Sequence, residues 1–156
     1  MTSERTFVAT TAAIGVAALG HALLTWPLEA TIALFAGGAT LAFVGEVIVV
    51  NLGWLEHDVA PKLAGVPLYV LPGWTAVIYV SVRIAVFATD GWAVVPLAAA
   101  LATVYDVLVD NEGVEEGHWT YTDDVPGPRH RNVPWWNYAG WFVISGSTAA
   151  LTVPFL

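Results

Sequence analysis

Acidic side chains interrupt strongly apolar stretches of this sequence. Glu46 lies within the stretch 28–50, Asp106 lies near the end of the stretch 92–109, and Asp110 follows it. Because Asp106 and Asp110 are four residues apart, their carboxylates share one face of a helix. Burial disfavours the charged form of a carboxylate, and a second carboxylate nearby disfavours it further. Glu46 or Asp106 is therefore a candidate general acid that keeps its proton near neutral pH.

Asparagines occur at a similar depth in the predicted helices. They are Asn51, Asn111 and Asn137. We expect the three carboxylates to converge on one pocket near one membrane surface, with Asn137 beside them. A purely structural interpretation stays open, in which these side chains hydrogen-bond the helices together or lie among the lipid headgroups.

Histidine is the other residue type that could do chemistry here. His57 lies between Glu56 and Asp58, and His118 precedes Trp119. No pair of histidines has the spacing of a helical metal site, and the chain has no cysteine. We therefore expect no metal site, no disulfide and no cysteine nucleophile.

Membrane-spanning helices must position these residues. Of 156 residues, 57% are hydrophobic and 12% are charged, against roughly 45–50% and 25% in soluble proteins. This composition excludes a water-soluble globular domain and a disordered chain. The net charge is −8 without a basic cluster, which excludes a nucleic-acid partner. Strong acidity with the single lysine Lys62 favours a salt-adapted organism.

Five apolar segments are long enough to cross the hydrocarbon core of a bilayer, which takes about 20 residues. They cover residues 7–24, 28–50, 66–88, 92–109 and 135–156, and a polar loop covers 110–134. We predict an all-α fold, a polytopic bundle of about five transmembrane helices in a single domain. The protein is expected to be a multi-pass integral protein of the cell membrane.

The positive side chains predict the orientation in the membrane. Arg5, Lys62, Arg129 and Arg131 all fall in loops on one side of the predicted topology. The positive-inside rule makes this side cytoplasmic, so the N-terminus is predicted inside and the C-terminus outside.

The polar loop 110–134 is expected to fold back over the cytoplasmic end of the bundle. It contains Trp119 and Tyr121, which are poor residues for a solvated tail. Its prolines also restrict the backbone.

Tryptophan is abundant, with eight residues in the chain. Some fall at the ends of predicted spans, as in the aromatic belt of membrane proteins. These are Trp26, Trp92, Trp135 and Trp136. Trp74 and Trp141 lie deeper and could instead face a ligand.

Three stretches together resemble the CruF-type carotenoid biosynthesis proteins. The first is Gly45-Glu46 followed by PKLAGVPLYVLPGW at 61–74, and the second is YDVLVD at 105–110 with GHWTY at 117–121. The third is NVPWWNYAGW at 132–141. This family includes bacterial carotenoid 1,2-hydratases and the bisanhydrobacterioruberin hydratase of salt-loving archaea. The chain resembles a compact, haloarchaeal-like member.

The resemblance implies hydration of a terminal carbon–carbon double bond of a carotenoid to a tertiary alcohol, without a cofactor. A carboxylic acid protonates the alkene, and water adds to the carbocation. The implied catalytic residues are Glu46 or Asp106 as the acid, with Asp110 or the other carboxylate orienting or deprotonating water. Aromatic ring faces would stabilise the cation by about 0.5–2 kcal/mol each. The implied substrate-binding residues are Trp74, Trp136, Trp141 and Asn137.

Other functions stay open on the sequence alone. The chain could be a non-catalytic carotenoid- or lipid-binding membrane protein, or a small subunit of a larger membrane complex. A third function is a proton-coupled transporter using Glu46 and Asp106, although paired inverted halves are not visible in the sequence. The expected partner is a carotenoid or other polyene lipid, and a homo-oligomer or larger membrane complex also stays open.

Overall fold

Five long helices form the body of the protein, and a computed structural model describes residues 4–156 of it. The helices are α1 (Glu4–Thr25), α2 (Leu28–Asn51), α3 (Val70–Ala88), α4 (Val94–Glu115) and α5 (Trp135–Thr152). The prediction of an all-α polytopic membrane bundle is confirmed.

Within residues 4–156, four helices are long and apolar enough to cross a membrane, namely α1, α2, α3 and α4. The shortest of them, α3, has 19 residues and is therefore about 28 Å long, close to the thickness of the hydrocarbon core. The fifth helix has 18 residues and a more polar sequence, WWNYAGWFVISGSTAALT. A membrane crossing by α5 therefore stays a prediction.

The second helix changes its winding part-way along. Residues Leu28–Ile32 and Gly38–Asn51 are α-helical, whereas Ala33–Gly37 between them form a π-helical segment. A Cβ atom at Gly38 would lie 2.6 Å from Cγ2 of Thr148 in α5. Glycine is therefore required where α2 and α5 approach each other.

Three short antiparallel strand pairs cover one end of the bundle. They are β1 (Leu55–His57) with β4 (Trp119–Tyr121), β2 (Lys62–Leu63) with β3 (Val66–Pro67), and β5 (Arg129–His130) with β6 (Val133–Pro134). The first pair joins the α2–α3 connection to the α4–α5 connection. The prediction that the polar loop folds back over the bundle is confirmed. Its location on the cytoplasmic side of the membrane stays a prediction.

The same end of the bundle holds the start of α1. The main-chain nitrogen of Ala60 donates to Oε1 of Glu4 at 3.4 Å. Arg5, Lys62 and Arg129 therefore lie at one end of the molecule, as the predicted topology requires.

Two of the differences between the observed helix ends and the predicted spans lie near the strand-covered end of the bundle. The third helix begins at Val70 and not at 66, because Val66–Pro67 form a strand after a tight turn in which Gly65 has a φ of +84°. The fourth helix continues past 109 through Glu115. Asp110 is therefore helical and buried instead of starting a loop.

Candidate functional site

A cavity of about 750 Å³ lies at the end of the bundle that the strands cover. Its lining includes Glu46 from α2, Asp106 and Asp110 from α4, and Asn137 from α5. All four side chains are buried, and Asp106 is only 2% exposed. The structure thus brings these residues into one cavity, as predicted from the sequence, while their roles stay predictions.

Glu46 is held by N–H donors from two other elements. Its Oε2 accepts a hydrogen bond from Nε2 of His57 in β1 at 3.0 Å, and its Oε1 accepts one from Nε1 of Trp74 in α3 at 3.3 Å. Lys62 donates in turn to the main-chain oxygen of His57. Both oxygens of Glu46 therefore have fixed partners.

Asp106 and Asp110 form a second group, one helical turn apart on α4. Nδ2 of Asn137 donates to Oδ2 of Asp106 at 2.8 Å and lies 3.4 Å from Oδ2 of Asp110. The hydroxyl of Tyr121 in β4 donates to Oδ2 of Asp110 at 2.8 Å. One amide therefore bridges the two carboxylates, and the folded-back strand supplies a further donor.

Two buried tyrosines near the carboxylates keep their protons at neutral pH. Burial, followed by the negative charges of Glu46 and Asp110, raises the pKa of Tyr69. Burial, followed by the negative charge of Asp110, raises the pKa of Tyr121 well above its ordinary range. Tyr121 uses its hydroxyl on Asp110, whereas the Tyr69 hydroxyl has no hydrogen-bond partner within the described part of the chain.

Trp74 and Trp141 line the cavity as a stacked pair. Their ring centroids are 3.7 Å apart and their planes differ by 7°. Each ring therefore covers one face of the other, and at most one face of each is left for a ligand.

The cavity continues from the carboxylates along α3 and α4 as an apolar groove. Val80, Ile84 and Tyr105 line it, and each is also about half exposed on the outer surface of the bundle. Ile14 of α1 lines it from the other side and is 55% exposed. Because the outer surface of a membrane bundle faces lipid, the groove opens sideways toward the hydrocarbon chains.

Basic side chains are scarce around the cavity. Its lining contains His57 and His118, but no lysine or arginine among residues 4–156. Within the same residues, no group of three or more His, Asp and Glu side chains is placed to hold a metal ion.

Three residues predicted near the site lie outside the cavity lining. Trp136 packs against Trp54 and Tyr121 instead. Its neighbour Asn137 points into the cavity, and adjacent residues on a helix point in directions about 100° apart. Asn51 bonds to the main chain of its own helix, and Asn111 bonds to side chains beyond the lining. A direct contact of Trp136 with a ligand is therefore not supported.

His57 belongs to the site, although the sequence suggested no more for it than a weak metal ligand. It stands between acidic residues in a polar segment, which is typical of an exposed loop. The signal that could have found it is the alternation in Leu55–His57, where Leu55 and His57 are buried and Glu56 is exposed. Such alternation is typical of a strand with one face against the core.

The comparison with protein families agrees with the resemblance seen in the sequence. The family model of carotenoid biosynthesis proteins matches residues 5–155. The chain belongs to the carotenoid biosynthesis protein family. No curated protein and no solved structure matches it.

Proposed function

We propose that this carotenoid biosynthesis protein hydrates a terminal carbon–carbon double bond of a carotenoid to a tertiary alcohol. The observation that carries the proposal is the group of three buried carboxylates at the end of a groove that opens toward lipid. An acyclic carotenoid is a long apolar chain with an alkene at its end. Its end group can reach the carboxylates while the remainder stays in the bilayer.

The Asp106–Asp110 pair is suited to protonate the alkene. The two carboxylates share the amide of Asn137, and no lysine or arginine of the described chain lines the cavity beside them. Two neighbouring carboxylates share one proton at lower cost than they hold two negative charges. Transfer of that proton to the alkene carbon is the step that a general acid performs.

The groove has the dimensions of an end-group site. On α3 its lining extends from Val70 to Ile84, which is about 21 Å along the helix axis. This length accommodates a segment of a carotenoid, so the rest of the polyene remains in lipid. Trp74 and Trp141 lie at the carboxylate end, where a free ring face can stabilise a carbocation.

Asp106→Asn tests the acid, because the amide keeps the shape of the side chain but cannot protonate carbon. In a host that makes an acyclic carotene with isopropylidene ends, the unmodified protein should yield the tertiary alcohol. Asp106→Asn should lower the yield by roughly 10²- to 10⁴-fold. The matched control is Asp90→Asn, at an exposed aspartate in the α3–α4 connection. Chromatography with mass spectrometry measures the products.

Two results would contradict the proposal. Full conversion by both Asp106→Asn and Asp110→Asn would exclude these carboxylates as the acid. Unchanged carotene that copurifies with the unmodified protein, without any alcohol, would favour a binding protein instead.

A further inference from the structure

The carboxylates of the cavity have different surroundings. Glu46 is bonded to a basic side chain, His57, and both groups are almost entirely buried. Asp106 and Asp110 instead have neutral donors: they share the amide of Asn137, and Asp110 also accepts from the hydroxyl of Tyr121. A site that adds water to an alkene needs one group that gives a proton to carbon and another that receives a proton from water. The two surroundings correspond to these two tasks.

Two polar atoms on the Glu46 side are buried without a hydrogen-bond partner in the described part of the chain. They are the hydroxyl of Tyr69 and Nδ1 of His57. Both residues line the cavity, and they are 7% and 8% exposed. Buried polar atoms are nearly always satisfied by protein or by ordered water. Because the cavity beside them is large enough for water, a water molecule is the natural partner.

Tyr69 lines the same cavity as Glu46 and Asp110, and their negative charges add to the effect of burial in raising the pKa of its hydroxyl. A water bound to this hydroxyl therefore lies in the cavity that holds the carboxylates. Tyr69 is the residue just before α3, and its ring packs edge-on against Phe7 of α1 at 5.1 Å between centroids. This packing fixes the position of the hydroxyl.

We propose that Tyr69 and Glu46 form the binding site of the water that adds to the substrate, with His57 as the positioning residue of Glu46. This assignment rests on the proposed hydration and adds the second half of the reaction to it. Tyr69 touches the reacting water and is a catalytic residue. His57 acts through the Glu46 carboxylate and does not touch the substrate carbon to which the water adds.

The chemistry balances as the addition of one water. The Asp106–Asp110 pair gives a proton to the CH carbon of the terminal CH=C(CH3)2 double bond. The π electrons form the new C–H bond and leave a tertiary cation on the carbon that carries the two methyl groups. The water held by Tyr69 and Glu46 forms the C–O bond and gives its proton to Glu46. Proton transfer from Glu46 back to the aspartate pair, directly or through water, restores the starting state. If water does not add, the cation gives one of the two hydrogens now on that CH carbon back to the pair and the alkene forms again; loss of the original hydrogen leaves the newly added one in the alkene.

Deuterium exchange separates the two halves of the reaction. The purified full chain in lipid vesicles is supplied with lycopene, an acyclic carotene with isopropylidene ends, in D₂O. Protonation without water addition places deuterium in the recovered alkene, whereas complete reaction gives the deuterated alcohol. The ratio of exchanged alkene to alcohol is then measured by mass spectrometry, per amount of folded protein.

Tyr69→Phe and His57→Gln should each raise the ratio of exchange to hydration by roughly tenfold or more, because they impair water addition and leave the acid intact. Asp106→Asn should abolish both exchange and hydration. The controls are Tyr79→Phe and His130→Gln, which should keep the ratio of the unmodified protein. Tyr79 is a buried tyrosine of α3 bonded to His21, and His130 is exposed; neither lines the cavity.

The assignment would be overturned if folded Tyr69→Phe and folded His57→Gln kept the ratio of exchanged alkene to alcohol of the unmodified protein. This holds even if exchange and hydration both become slower, because a merely structural role lowers these two rates together. Failure of the proposed function gives a different result. In that case the unmodified protein itself produces neither deuterated alkene nor alcohol.

Discussion

At the residue scale, the two aspartates of the cavity are held by neutral hydrogen-bond donors. Asp110 accepts from the hydroxyl of Tyr121, and Asn137 bridges Asp110 and Asp106. A neutral donor favours the ionised carboxylate, but it adds no opposite charge and so does so less strongly than a fixed cation such as arginine. Such surroundings suit a group that must both hold a proton and give it away.

Tyr121 should make the stability of the protein change with pH in the alkaline range. Its pKa is raised by burial and by the charge of Asp110, whereas an unfolded tyrosine ionises near pH 10. The folded state therefore binds more protons above about pH 10, so the free energy of unfolding falls as the pH rises through that range. Tyr121→Phe should lose less stability over this range than the unmodified protein.

Circular dichroism of the detergent-solubilised protein, followed against pH, measures this difference. At neutral pH the same variant should be less stable by about 1–3 kcal/mol, because Asp110 loses a buried donor. Identical alkaline transitions in the two proteins would contradict the role given to Tyr121.

At the scale of elements, a glycine sets the distance between α2 and α5. A Cβ at Gly38 would lie 2.6 Å from Cγ2 of Thr148, whereas a Cβ at Gly140 in α5 would have no neighbour within 4 Å. Gly38→Ala should therefore destabilise the protein by about 1–3 kcal/mol. Gly140→Ala should be neutral or stabilise it by up to about 1 kcal/mol, because alanine favours the helix. Thermal unfolding in detergent compares them, and equal losses would contradict the packing described.

The side opening between the helices should limit entry of long substrates. Val80 of α3 lines the groove and is 51% exposed. Val80→Trp should narrow the opening and lower hydration of a long carotene by roughly tenfold, mainly through KM. Val86→Trp is the control, because Val86 is exposed on the same helix but outside the cavity lining. Equal activity of the two variants would show that substrate enters elsewhere.

At the scale of the whole molecule, the strands, the loop cations and the three carboxylates of the cavity lie at one end. Within residues 4–156, five long helices place the start of α1 at that end and Leu156 at the other. By the positive-inside rule, reporters fused after Arg5 or within residues 123–127 should be located in the cytoplasm. A reporter fused after Leu156 should be located outside the cell. Finding both chain ends on one side of the membrane would contradict five crossings.

Much of this architecture follows from local features of the sequence. The lengths of the apolar segments predict the helices, because a helix in lipid satisfies its own backbone and depends little on distant residues. The depths of Glu46, Asp106 and Asp110 follow from their positions in those segments. Depth together with alternating helix direction was enough to predict that they meet at one end.

The partners of the carboxylates depended on contacts between distant parts of the chain. The pairing of β1 with β4 brings His57 to Glu46 and Tyr121 to Asp110, and neither short strand has a strong pattern of its own. The direction of a side chain around its helix was also undetermined, so Trp136 was expected in the cavity and lies outside it. Tertiary packing decides both, because it selects which face of each helix meets which loop, and residue depth along the membrane normal carries no information about that rotation.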